Sequence, residues 1–154
     1  MPRRLRFRVE KWPISGAFTI SRGAKTEAAV IVAEISDGPA TGRGECVPYG
    51  RYGESLDSVS RQLESVAPAI AEGAGCEQLQ ALLPAGAARN ALDCALWDLE
   101  AKLSGKSVAT LAGLTPQAVT TANTTVQRST NVSAEQMAAD IEAAEASVAA
   151  HADV

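Results

Sequence analysis

The residues best suited to chemistry are few and scattered. His151 is the chain's one histidine, so a Ser-His-Asp triad or a multi-histidine metal site within the chain is unworkable. The three cysteines, Cys46, Cys76 and Cys94, are odd in number and far apart, with no CxxC pair. That suggests neither a zinc site nor a disulfide framework, and it fits a reducing cytoplasm. Asp93, Asp98 and Glu100 have the spacing of acid/base or metal carboxylates. Arg89 stands four residues before Asp93 and Lys102 four after Asp98, with no histidine near, so surface ion pairs are the simpler reading. Gly42-Arg43-Gly44 begins like a phosphate loop but lacks the third glycine and the following helix. Strand glycines permitting close backbone approach explain it better. Pro48-Tyr49-Gly50-Arg51-Tyr52-Gly53 sets two tyrosines and an arginine between glycines, a composition for contacting a ligand as much as for turning.

These residues need elements to position them. Residues 3–12 alternate, Leu5, Phe7 and Val9 against Arg4, Arg6, Arg8 and Glu10, which predicts a half-buried strand with a solvated arginine face. From Pro13 to Lys25 the pattern lapses into a mobile loop with some extended character. Ala28 to Ser36 reads as a strand buried on both faces, and Asp37-Gly38-Pro39 turns into a third strand, Thr41 to Val47, through a connection longer than the tight two-residue kind. Leu56, Val59, Leu63, Val66 and Ile70 mark a helix capped by Ser55, with Pro68 ending or kinking it. A short helix around Glu77 to Leu83 is followed by the strongest segment, Ala87 to Leu103, stopped by Gly105, and by a short helix over Val108 to Leu114. Trp97 on the long helix suits core or domain-interface packing. Ala118 to Val126 is β-prone, and a helix from about Ala134 to Ala150 follows.

The bulk properties agree. The chain has 154 residues, 46% of them hydrophobic, enough for a real core. Its net charge of −4 argues against a general nucleic-acid binder. No apolar run approaches the roughly 18 residues a membrane span needs, and no signal peptide is evident. The expected fold class is α+β: a three-stranded antiparallel meander, a helical bundle, and one trailing β-α unit.

Ala88-Arg89-Asn90-Ala91-Leu92-Asp93-Cys94-Ala95-Leu96-Trp97-Asp98-Leu99 resembles the last long helix of the capping domain in the enolase superfamily, in its muconate-lactonizing subgroup. Gly42 to Ser55, and Phe18-Thr19-Ile20-Ser21-Arg22-Gly23 before Thr26-Glu27, resemble the dipeptide-epimerase branch. The resemblance implies a capping domain over residues 1–114 and, over residues 115–154, the first β-α unit of a truncated (β/α)₈ barrel. Such enzymes invert an α-carbon beside a carboxylate with two opposed lysines and a magnesium ion held by three carboxylates. The lysines here, Lys11, Lys25, Lys102 and Lys106, form no Lys-x-Lys pair, and a barrel takes roughly 200 residues or more. The expectation is therefore no catalytic and no metal residue in this chain, no Mg²⁺ bound by it alone, and no activity alone. What the resemblance leaves is a substrate-facing lid for a dipeptide-like ligand: Phe18, Thr19, Ile20 and Arg22 from one loop, Tyr49, Arg51 and Tyr52 from another, and Thr124 near the first barrel-like strand. Arg22 would pair with a substrate carboxylate. Cycloisomerase or succinylbenzoate-synthase chemistry shares the scaffold. A non-catalytic binding or assembly module, a homo-oligomer joined through the C-terminal β-α segment, is the remaining alternative.

Overall fold

Pairing along the chain decides the sheet. The computed structural model describes residues 2–20, of which 17–20 by backbone alone, and 23–115. Three strands, β1 (Arg4–Ile20), β2 (Gly23–Asp37) and β3 (Ala40–Cys46), form an antiparallel meander in the order β1-β2-β3. Four helices follow: α1 (Leu56–Ala71), α2 (Cys76–Leu82), α3 (Ala87–Ser104) and α4 (Val108–Leu111). Together they make one compact α+β unit, Met1–Leu114. The β-prone stretch and helix expected beyond residue 115 lie outside the described residues. No described helix is long and apolar enough to cross a membrane.

Two expectations about the sheet are corrected. Residues 13–20 and 23–25 belong to a paired ribbon, not a loop. β1 and β2 stay in register from Arg4↔Ser36 to Pro13↔Glu27 and again from Phe18↔Lys25 to Ile20↔Gly23, with residues 14–17 opposite Thr26 alone. Local propensity is weak there, but each strand supplies the other's hydrogen-bonding partner. β1 is an edge strand, where a proline such as Pro13 is tolerated, and Gly16, at φ 79°, takes up the irregularity. The second connection is the tight kind: Asp37 pairs with Ala40 across Gly38-Pro39. Gly38 at φ 55° followed by the fixed φ of proline makes the reversal in two residues.

The core lies between the sheet and the helices. Ile31, Ala33 and Ile35 of β2 pack with Val59, Leu63 and Ile70 of α1, Leu79 of α2 and Ala91, Leu92, Ala95 and Leu99 of α3. Ser55 caps α1 as expected, in a reciprocal box with Ser58. The helix runs through Pro68 to Ala71 and stops before Gly73 at φ 100°. Pro68 lies on the exposed side of the last turn, where its ring is accommodated. Trp97 is half-buried and stands outside the core cluster. On the outward face of the sheet Arg8 pairs with Glu10 at 2.6 Å and Glu34 at 3.3 Å, and Arg43 with Glu34 at 2.7 Å, so Arg8 of the basic row sits in a solvated ion-pair cluster.

β3 and α3 touch backbone to backbone. Gly42 and Gly44 are buried against α3. A Cβ on Gly44 would run into the Ala91 carbonyl oxygen, and one on Gly42 into the Ala95 carbonyl oxygen. Side chains of α3 then bond the open edge of β3. Asn90 Nδ2 donates to the Glu45 carbonyl at 3.2 Å, Asp98 accepts the Arg43 N–H at 2.7 Å, and Lys102 Nζ donates to the Thr41 carbonyl at 2.8 Å. Lys102 also meets Asp98 at 2.7 Å, the expected pair. The other expected pair is absent: Arg89 and Asp93 do not bridge, and among the described residues the ion pair on α3 is the one between Asp98 and Lys102.

Two outcomes follow for stability. Gly44→Ala has no room and should cost about 3 kcal/mol or more in urea unfolding, or prevent folding. Burial pushes the Asp98 carboxyl up, but Lys102 and the Arg43 N–H outweigh it and hold it below its ordinary value. A depressed carboxylate adds stability above its unfolded pKa and loses it as pH falls through the folded value. Asp98→Asn should therefore cost under about 1 kcal/mol at neutral pH, and the gap from wild type should close on acidification.

Candidate functional site

The second sequence loop becomes a compact turn. Tyr49, extended at φ −120°, leads into a single 3₁₀ turn, Gly50–Tyr52, closed by Gly53 at φ 73°. Only glycine adopts that last conformation without strain. Arg51 is exposed and Tyr52 is 76% exposed, while Tyr49 is half-buried. The two tyrosine rings lie 5.9 Å apart at 46°.

The end of the ribbon comes to meet this turn. Gly23, Ala24 and Lys25 at the start of β2 and Pro48, Tyr49, Gly50 and Arg51 line one open cleft of about 440 Å³. Lys25 Nζ stands 5.7 Å from the centre of the Tyr49 ring, a cation over an aromatic face. The cleft thus joins two cations, Lys25 and Arg51, to an aromatic wall. That combination suits an anionic ligand with a compact apolar portion. A second hollow of about 660 Å³ is bordered by Tyr49, Tyr52 and Glu54, and reaches Cys46, Gln62 and Asn90.

The sequence-predicted residues fare differently. Tyr49 and Arg51 share the cleft, and Tyr52 stacks beside Tyr49 on the same turn. Phe18, Thr19 and Ile20 pair by backbone with Lys25, Ala24 and Gly23, which brings their segment to the cleft's rim. Arg22 and Thr124 lie outside the described residues. Two residues were missed. Lys25 was legible in principle, being a cation at the end of the loop predicted from Pro13 to Lys25. Glu54, whose carboxylate contacts both Tyr49 and the start of α3, had no local signal, because its partner Ala87 is 33 residues away.

No metal set is present among the described residues: no three of His, Cys, Asp and Glu converge. The described residues therefore offer no carboxylate set that fits a resident Mg²⁺. Two of the three thiols are also ill-suited to nucleophilic work. Burial, with help from Glu54, pushes Cys46 up to about 11, and burial with Asp93 does the same to Cys76. Cys94 is exposed. At pH 8 a thiol near 11 is about one part in a thousand thiolate. Titration with a disulfide reagent should label Cys94 quickly, and Cys46 and Cys76 only on unfolding; a fast second thiol would contradict this arrangement.

Comparison with known proteins adds three kinds of likeness. Residues 3–113 match the family described as mandelate racemase / muconate lactonizing enzyme, N-terminal domain. The L-Ala-D/L-Glu epimerase of Escherichia coli K12 is 52% identical over 118 residues, which are 76% of this chain and 37% of that protein. A solved enolase family member from Agrobacterium tumefaciens, described as homologous to dipeptide epimerases and holding sodium and L-Ala-L-Glu with an ordered loop, is 50% identical. It superposes at a TM-score of 0.72 over 75% of this chain and 36% of its own. A dipeptide epimerase from Methylococcus capsulatus, complexed with Mg and L-Arg-D-Lys, is 27% identical with a TM-score of 0.63, over 73% of this chain and 35% of its own. The chain spans little more than a third of the length of each of these three.

Proposed function

The chain belongs to the mandelate racemase / muconate lactonizing enzyme family, and from that premise we propose that residues 1–114 are the substrate-selecting capping domain of a Mg-dependent dipeptide epimerase. Residues 115–154 are, in the same proposal, the first β-α unit of its barrel. The observation that carries the reading is the cleft. Both segments that resemble dipeptide-epimerase lid loops converge on it, and it offers Lys25 and Arg51 beside Tyr49.

The chemistry explains the division of labour. An α-proton beside a carboxylate is very weakly acidic, so its removal needs concentrated positive charge and a placed base. In the family a magnesium ion supplies that charge. This chain's part is binding and orientation. Lys25 and Arg51 draw an acidic side chain or terminal carboxylate to the roof, and Arg22, by the family resemblance, adds a bidentate partner. Tyr49 and Tyr52 cover the apolar part of the ligand and keep water out. The E. coli relative's name joins L-Ala to Glu, and an acidic second residue matches two cations better than it matches a neutral roof. L-Ala-L-Glu is therefore the substrate proposed first.

The test has two arms. The 154-residue chain, given L-Ala-L-Glu and Mg²⁺ in heavy water, should show no α-proton exchange above background by NMR. Residues 1–114 grafted in place of the matching part of the E. coli relative should restore a working enzyme. In that chimera Lys25→Met with Arg51→Met should raise KM for L-Ala-L-Glu about tenfold, roughly 1.4 kcal/mol, with a smaller change in kcat. An unchanged KM would remove the cleft from substrate selection.

A further inference from the structure

The turn carrying Tyr49, Arg51 and Tyr52 has little to hold it by itself. None of the residues Gly50–Tyr52 is buried. Its internal backbone bonds are two, from the Tyr52 N–H to the Tyr49 carbonyl at 2.9 Å and from the Gly53 N–H to the Gly50 carbonyl at 3.1 Å. A segment so exposed and so lightly bonded ordinarily opens at small cost.

Glu54 changes that. Its Oε2 accepts the Tyr49 N–H at 3.1 Å, and its Oε1 accepts the Ala87 N–H at 2.6 Å. Ala87 is the first residue of α3, an 18-residue helix whose N-cap, Gly86, has no side chain with which to cap it. A carboxylate between two N–H donors at a helix N-terminus makes charge-assisted bonds and meets the positive end of the helix dipole. Gly86 leaves the room for it, since a Cβ there would stand 2.8 Å from Glu54 Oε1. One half-buried side chain therefore ties the back of the turn to an element whose far face is core.

We propose that Glu54 is a positioning residue that holds the Tyr49–Gly53 turn in one preformed conformation by fastening it to the first turn of α3. Tyr49, Arg51 and Tyr52 are thereby presented ready, and a ligand need not order them on arrival. The preformed turn stands on this geometry alone; its bearing on substrate choice rests on the capping-domain reading above.

Amide hydrogen exchange on the 154-residue chain tests it, in wild type, Glu54→Gln and Ile70→Val. Glutamine keeps the size of the side chain but points an N–H donor at one of the two backbone N–H groups. Ile70→Val loosens the core without touching the turn. In Glu54→Gln the Tyr49, Tyr52 and Gly53 amides should exchange about tenfold faster or more, while Leu92, Leu96 and Leu99 keep their wild-type rates. In Ile70→Val the turn amides should stay near wild type. Equal acceleration of turn and core in Glu54→Gln, matching the Ile70→Val pattern, would make Glu54 a general stabiliser and overturn the proposal. So would unprotected turn amides in wild type. Should Glu54→Gln fail to fold, Glu54→Asp keeps the charge at α3 but is one methylene too short to span both donors, and must still speed the turn amides. If exchange behaves as expected while the chimera's KM does not move, the substrate reading falls and the preformed turn remains.

Discussion

The fold turns on how closely β3 can lie against α3. Gly42 and Gly44 remove side chains from the strand where Ala91, Ala95 and Leu99 come up from the helix, so backbone meets backbone. At that distance Asn90, Asp98 and Lys102 can reach the unpaired groups on the strand's open edge. An edge strand that would otherwise offer bare N–H and C=O groups is covered by side chains of a helix. Dispersion over the small-residue contact and satisfied polar groups at its rim act in the same place.

The cleft inherits its geometry from that contact. β3 leads at Cys46 directly into Val47 and the Pro48–Gly53 turn, so the strand's seat on α3 fixes where the turn begins. The N-terminus of the same helix then meets the turn's end through Glu54. From the other side, β2 carries Lys25 along a ladder whose inner half is core. The roof is thus suspended between one helix and one hairpin, and its cations are positioned by groups that never touch a ligand.

Much of this was readable from residue order, for physical reasons. Alternation marked β1, the turn residues Asp37-Gly38-Pro39 announced β3, the stripe on α3 was unbroken, Ser55 announced a cap, and paired glycines signalled close approach. The pairing of residues 13–20 with residues 23–27 was not readable, because its stability lies in pairing between two segments each poor in strand propensity. The tight turn at Gly38-Pro39 was hidden for a related reason: register is a property of two strands, not of one. Tyr49 and Arg51 were found through composition, while Glu54 escaped because a carboxylate acting on a helix 33 residues away leaves no local pattern. Asp93 misled, since i,i+4 spacing from Arg89 permits an ion pair on an exposed helix face without enforcing one.

The outer half of the hairpin has a further consequence. β3 pairs with β2 only from Ile31 to Asp37, so the exposed ribbon before the buried Val30 is two strands wide, with Lys11, Trp12 and Lys25 in solvent. Such a ribbon adds little to the free energy of the folded unit. Substitutions along it are therefore nearly free of folding penalty while altering what the cleft presents. Evolution can vary preference there almost independently of the scaffold, and related roofs are expected to diverge fastest along this arm while the β3–α3 seam stays the same.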